Sequence, residues 1–501
     1  MFTKEVFSFY YFEELILLKR TLIIRICSYL YILLPVFIFL LSWTKLIIGI
    51  PLSIFLAAIL YKMCSQEKKA KNAIEISGIK WWKISIVIAI VLIWVLLSGI
   101  AGIAFQNKDH NCRNAVYETL VRMDWPAVDF NIGENGSMLI YYIGFWLPAA
   151  IFGKAFGIQA GYYFQVVWAV LGILLFYGLV CIYRRRFAIW PLVVFIFFSG
   201  LDTVGFLITR HPEMIIDVTS HMEWWTVYQF SSFSTQLFWV FNQAVPAWIL
   251  ILLYMLQKNN KYLFVLSAGA LLSSPLPTIG MVPFVFYFSI VNAISLKNAH
   301  KSKIINWIKS VLTPENIVGI AVDIVIGLYL IGNMAGQSVG KGNDTEINIH
   351  NILRWGGFVF LEAGIFSILT FKKKRIILSA ITLGWLCICP LIRIGYSTDF
   401  CMRASIPALV ILYLMVIDTL EDALCNKKRV LASALVVVLL IGSVTPAHEI
   451  LRGILWTKRK WDIGEPTWQI TLTQEELLID RNFSGMLQDN FFYERIARHV
   501  K

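Results

Sequence analysis

The chain has 501 residues, 58% of them hydrophobic and only 15% charged. A water-soluble fold with so little polar surface could not cover itself, so a soluble globular protein is excluded. Lys and Arg number 44 against 31 Asp and Glu, an excess of +13. Basic residues in short loops between apolar spans set membrane orientation, so this excess argues for topology and against a nucleic-acid partner.

Apolar stretches of about 18 residues or more recur along the chain, each able to cross a hydrocarbon core of about 30 Å as a helix. The first, from about Thr21 to Trp43, is too long for the apolar region of a signal peptide and lacks a small-residue cleavage site, so it reads as retained. Further spans fall near residues 46–63, 84–104, 158–183, 187–209, 235–256, 262–273, 276–296, 316–334, 353–371, 376–394, 405–420 and 430–447. The expected fold is an all-α polytopic transmembrane bundle of about 13 spans, with a long first outer loop carrying surface helices. Residues 1–83 form an N-terminal pair of spans and a basic loop, 84–447 the core, and 448–501 an outer tail.

The stretch Met138 to Gly157 is apolar but reads as lying along the outer surface. Making it a crossing would put Arg184, Arg185 and Arg186 on the same side as the loop before it. Pro148 and Lys154 also suit a surface helix. With the N-terminus cytoplasmic, about 24 basic residues then fall inside, against about seven in the outer loops before the tail. The expectation is a multi-pass cell-membrane protein whose larger polar loops, 105–157, 210–234, 335–352 and 395–404, face outward with the tail.

No Walker A loop, dinucleotide fingerprint or GxSxG elbow is present. Of eight cysteines, only Cys112 and Cys401 fall in outer loops, as a disulfide or as two free thiols. Cys387 and Cys389 lie inside a span without His partners, which is not a zinc pattern.

The richest polar segment follows the third span: Asn107, Lys108, Asp109, His110, then Arg113, Glu118 and on to Asp129. A carboxylate just past a span can meet both a lipid phosphate and a water-borne hydroxyl, and a partly desolvated one is suited to general-base work. Asp109 is the first candidate, with His110 beside it and Asp129 as the second. Asp109 could instead cap the helix that follows. In the next outer loop His221, Glu223, Trp224 and Trp225 offer a polar pair beside flat rings for a sugar face; the tryptophans could equally be interfacial anchors. Asp202 lies about two turns inside the preceding span, where an ionisable group is functional by default. Asp323 and Glu362 lie deeper in other spans. His221 and Glu223 with Asp109 could ligate a divalent metal, although no third ligand is identifiable by spacing. Arg403, at the start of an outward-facing span, could grip a phosphate bidentately, with Arg354 and Arg393 as reserves.

This arrangement resembles the GT-C superfamily of polytopic glycosyltransferases, in particular protein mannosyltransferases. The resemblance rests on Asp109 soon after a span, the loop to Asn135, the surface stretch Leu147-Pro148-Ala149-Ala150-Ile151-Phe152-Gly153-Lys154, and the return span ending at Arg186. It covers roughly residues 84–420. Two spans precede the one that should be first, Asp-His replaces the paired acids common in the superfamily, and Trp224-Trp225 is followed by Thr226 rather than Asp. The resemblance implies an inverting displacement at an anomeric carbon, with a polyprenyl-phosphate sugar as donor; it does not carry over an acceptor, and the leading expectation is transfer on the outer face to a cell-envelope molecule. Asp109 would activate the acceptor and Arg403 would hold the donor phosphate. The rival expectations are a proton-coupled transporter or flippase of a lipid-linked saccharide, using Asp202, Asp323 and Glu362, and a non-catalytic envelope-polymer assembly protein.

Overall fold

The computed structural model describes residues 2–69, 76–132, 136–209, 211–217, 219, 221–294, 303–334, 348–392 and 398–499. Three helices, α1 (Phe2–Trp43), α2 (Leu46–Lys69) and α3 (Trp81–Leu97), lead to a polar segment. There α4 (His110–Arg122), β1 (Val128–Asp129), β2 (Ser137–Leu139) and α5 (Leu147–Phe156) precede the long α6 (Ile158–Arg184). Then come α7 (Trp190–Ile196), α8 (Asp202–Ile208), α9 (Glu213–Ile216), α10 (Phe233–Leu256), α11 (Leu263–Ser273), α12 (Pro275–Ile294), α13 (Lys303–Val311) and α14 (Pro314–Ile331). The remainder comprises α15 (Ile349–Val359), continued through a π-helical turn at Phe360–Gly364 into α16 (Ile365–Leu369), then α17 (Ile376–Ile388), α18 (Asp399–Ala404), α19 (Ile406–Cys425), α20 (Arg429–Gly442), α21 (Val444–Asp462), α22 (Gln474–Ile479) and β3 (Ser484–Met486).

Among the described residues nine helices are long and apolar enough to cross a membrane. Four of the expected spans fall outside that set for identifiable reasons. Helix α3 has 17 residues and α11 has 11. Helix α19 carries Asp418, Glu421 and Asp422 in its last two turns. The stretch near 187–209 is broken into α7 and α8 at Phe197–Leu201. Helix α5, at 10 residues, rises only about 15 Å and cannot span.

The apolar composition is explained by the outer faces of the helices. Ile47, Ile54, Trp81, Val167, Ile377 and Val430 are all exposed, as side chains facing hydrocarbon rather than water must be. The centre is α10, whose apolar window is almost wholly buried. Two of its polar side chains are met by buried indoles: Trp94 Nε1 donates to Ser234 Oγ at 3.0 Å and Trp248 Nε1 to Gln236 Oε1 at 2.8 Å. Asn242 and Gln243 Oε1 on the same helix are buried with no hydrogen-bond partner among the described residues.

Polar contacts gather at two ends of the bundle. At one, Arg184 pairs with Glu421 at 2.5 Å, Arg375 with Asp418 at 3.1 Å and Lys372 with Asp422 at 3.0 Å, and Ser77 forms a bridge to Arg186. At the other, β1, β2 and β3 form an antiparallel sheet pairing Val128 with Met138 and Met138 with Gly485. The last residues continue onto the end of α1, where Lys45 N donates to Ile496 O at 2.8 Å. Helix α21 runs straight through residue 448, the point at which the sequence suggested a separate tail. Its first two turns are buried against the bundle through Thr445, His448 and Glu449.

Candidate functional site

Asp109 stands at the end of the sheet-bearing pole, one residue ahead of α4. Its carboxylate makes no capping bond. Asn107 braces the turn before the helix: its Oδ1 accepts from the backbone N–H of Asp109 at 3.1 Å and lies 3.1 Å from His110 Nδ1. Free of capping, Asp109 pairs with Arg113 one turn into α4, with Oδ2 3.2 Å from Nη2 and 3.4 Å from Nη1. The Asp109 side chain is 43% exposed, so it is open to solvent rather than desolvated. Arg113 is buried and lies over the Phe241 ring, 5.9 Å from its centroid.

Arg403 is buried on α18 and pairs with Asp399 at 2.8 Å, one turn earlier. Burial disfavours its charge, but Asp399, Tyr142, Tyr141 and Asp109 outweigh it and hold the guanidinium above its ordinary pKa. Arg403 thus feels the carboxylate of Asp109 from a different part of the chain. Tyr141 and Tyr142 stand between the two regions with ring centroids 3.6 Å apart. Burial raises both phenols, so they remain O–H donors. Among the described residues, Arg403 Nε and Arg113 Nε have no hydrogen-bond partner. Two buried guanidiniums with unused donors, two phenols and one open carboxylate make a site suited to an anionic oxygen group beside a hydroxyl.

The other candidates divide. His110 is buried against Phe241 and its Nε2 is unpartnered. Burial, aided by Arg113, lowers its pKa to about 3, so the ring stays neutral. Asp129 pairs with Ser137 across the sheet and accepts from Asn131 N at 3.0 Å, within its own loop. Arg354 Nη2 lies 2.8 Å from His350 Nε2 at an exposed position. Arg393 lies outside the described residues.

His221, Glu223 and Asp202 form a second, wholly buried cluster. His221 Nε2 is 3.5 Å from Glu223 and Nδ1 is 3.3 Å from Glu449, which is also held by Arg452 at 3.1 Å and Trp239 Nε1 at 2.8 Å. Burial disfavours the His221 charge, but the two glutamates prevail and raise its pKa to about 9. The adjacent tryptophans part company: Trp225 Nε1 donates to Asp202 Oδ1 at 3.1 Å, while Trp224 is 61% exposed. Only Trp224 is therefore free to offer a face. Glu449 and Arg452 come from the segment read as a tail, so their part in this cluster was hidden from spacing.

The Leu147–Lys154 stretch is explained by packing. A Cβ on Gly153 would come within 2.5 Å of the Tyr117 hydroxyl, and Lys154 Nζ donates to Met123 O at 2.6 Å. Cys112 and Cys401 are free, and the Cys401 thiol donates to Gln229 O at 3.3 Å. Among the described residues no three His, Cys, Asp or Glu side chains are grouped to hold a metal ion. Comparison with family models, curated proteins and solved structures finds no match.

Proposed function

We propose that the protein is a thirteen-pass cell-membrane glycosyltransferase of GT-C type, with its N-terminus cytoplasmic and the sheet-bearing pole outside. The single observation that carries this reading is that the half-exposed Asp109 carboxylate, Tyr141 and Tyr142 all act electrostatically on the buried Arg403 guanidinium at the pole of the bundle. Asp109 and Arg403 lie on segments almost 300 residues apart, with Tyr141, Tyr142 and Arg113 at the same site. The alternating poles also support the topology: Arg186, Lys372 and Asp422 gather at one, and Thr44, Gln106 and Asn333 bond to tail residues at the other.

On this reading the donor is a sugar on polyprenyl phosphate and the acceptor a hydroxyl-bearing cell-envelope molecule. Membrane lipid surrounds the site and delivers the donor. The acceptor oxygen attacks the anomeric carbon as the bond from that carbon to the phosphate oxygen breaks. The hydroxyl proton passes to Asp109, and polyprenyl phosphate leaves with its new charge held by Arg403 and the phenols. Trp224 offers the exposed ring for a sugar face.

The test is incubation of the purified full-length protein in lipid nanodiscs with polyprenyl-phosphate sugars, following sugar release or transfer. Turnover lost in Asp109→Asn with the fold intact supports the reading. Equal turnover in the variant rejects Asp109 as the base. The buried acids Asp202 and Glu362 favour one second reading, a proton-coupled transporter of a lipid-linked saccharide. That protein would move the saccharide across a liposome membrane without cleaving it.

A further inference from the structure

The broken span between α7 and α8 makes room for something. At membrane depth, non-helical backbone is tolerated only where protein buries it, and here it is covered by α20 and by the π-helical turn at Phe360–Gly364. A Cβ on Gly442 would lie 2.6 Å from Ser199 O. On the other side, a Cβ on Gly200 would lie 1.9 Å from Glu362 Oε2. The absence of a side chain at Gly200 therefore seats the Glu362 carboxyl against the break, next to Asp202. π-Helical turns recur at functional sites because they shift one side chain out of helical register, and Glu362 is the middle residue of this one.

The two carboxyls have opposite surroundings. Asp202 is 2% exposed and accepts three hydrogen bonds: Thr445 Oγ1 at 2.9 Å, Trp225 Nε1 at 3.1 Å and Ser199 Oγ at 3.2 Å. Three donors stabilise a carboxylate as the anion. Glu362 is also 2% exposed, and among the described residues its oxygens have no partner in hydrogen-bonding geometry; the donor beside it is the Trp225 indole, whose N–H is directed to Asp202. An ionised Glu362 would be a buried, unpaired charge pressed against a second one, which is prohibitively costly. Two carboxyls can touch only with a positive species between them. Among the described residues, the groups that act on the pair include Ser199, Thr445, Trp225, the Glu223 side chain and the Cys401 thiol, and none of these is a cation.

We propose that Glu362 and Asp202 form a buried proton-binding site, in which Glu362 is the carboxylic acid and donates its proton to the Asp202 carboxylate. The proton is the ligand, and the break at Ser199–Gly200 is the structure that accommodates it. Glu223 is the next carboxylate, joined to His221 and through it to Glu449 and Arg452, so a string of ionisable groups runs from the pair toward the loop at residues 211–224. Gln229 ties this string to α18: its Nε2 donates to Glu223 Oε2 at 2.7 Å and its Oε1 accepts from Thr398 at 3.4 Å. The proposal is independent of whether the protein transfers or transports a saccharide.

Infrared difference spectroscopy of the purified full-length protein tests it. The wild type should show, at neutral pH, a carbonyl band of a protonated carboxyl that shifts in D2O and is absent from Glu362→Gln. The Gln amide can donate to Asp202 as the acid does, so this variant should fold with a Tm within a few degrees of wild type. Asp202→Asn is the second variant, in which the Glu362 band should persist and move in frequency. Asp323→Asn is the control, since Asp323 accepts from Ser267 at 2.5 Å in a different helix pair. An identical carboxyl band in wild type and Glu362→Gln would overturn the proposal. So would a Tm that rises with NaCl or MgCl2 in the wild type and not in Glu362→Gln, because a metal cation would then bridge the pair.

Discussion

The guanidinium of Arg113 lies 3.2 Å from the carboxylate of Asp109, one turn into the helix that Asp109 precedes. An open carboxylate held in place by a buried cation can accept a proton only while it stays accessible, and Asp109 is 43% exposed. On the proposed transferase reading, with Asp109 as the base, Asp109→Asn should lower kcat by roughly 10²- to 10⁴-fold. Stability should change by less than about 1 kcal/mol, since exposed ion pairs contribute little. Arg113 also keeps its bond to the backbone carbonyl of residue 109 at 3.3 Å. Turnover assays paired with thermal melts check both halves.

Arg403 tests the phosphate end. Its fork is shared between Asp399 at 2.8 Å and an Nε that has no partner. Arg403→Lys keeps one charge near Asp399 but removes planar, two-point recognition. The expected outcome is a donor KM raised by about 10- to 100-fold, the order of one or two charge-assisted hydrogen bonds. The KM for a soluble acceptor should move far less. A donor KM equal to wild type would remove Arg403 from the site.

The long helices were legible because a run of about 18 apolar residues has few alternatives to a membrane-crossing helix. That the stretch holding α5 is no crossing was legible from charge bookkeeping around Arg184–Arg186, and at 10 residues the helix is too short to span. What the sequence concealed is tertiary. Nothing in Ser199-Gly200-Leu201 announces a break until Glu362, more than 160 positions away, is seen seated on Gly200. Capping looked available to Asp109, but its carboxylate turns to Arg113 instead, while Asn107 takes the N–H of Asp109 itself. Tyr141 and Tyr142 were read as part of an apolar stretch, and their hydroxyls matter only because Arg403 arrives beside them. Glu449 and Arg452 were assigned to a tail because hydropathy falls there, although the helix continues.

The closing strand offers a mechanical prediction. Gly485 sits between Met138 on β2 and the end of α14, where an added Cβ would lie 2.3 Å from Gly332 O and 2.4 Å from Ile140 Cδ1. One of these neighbours is backbone and cannot swing aside. Gly485→Val should undock β3 at a cost of about 1–3 kcal/mol, the usual range for overpacking. Limited proteolysis should then cut beyond α21, in residues 463–499, at protease concentrations that leave the wild type whole. Gly464→Ala, where an added Cβ meets nothing within 4 Å, is the comparison for chain conformation alone, since Gly464 has a φ of 71°.

His221 gives the pH dependence. Burial opposes its charge, but Glu223 at 3.5 Å and Glu449 at 3.3 Å raise its pKa to about 9, above the unfolded value of about 6.5. The folded state therefore binds the proton more tightly than the unfolded state. The stabilisation is complete below about pH 6.5 and is lost as the pH rises through about 9. Wild-type Tm should fall across that window. His221→Gln should start lower at pH 6, because two buried glutamates lose their shared cation, and should fall less between pH 6.5 and 9. Thermal melts of both proteins from pH 6 to 9.5 in the same detergent decide it. Parallel curves would mean that His221 is neutral in the folded protein and that Arg452 alone balances Glu449.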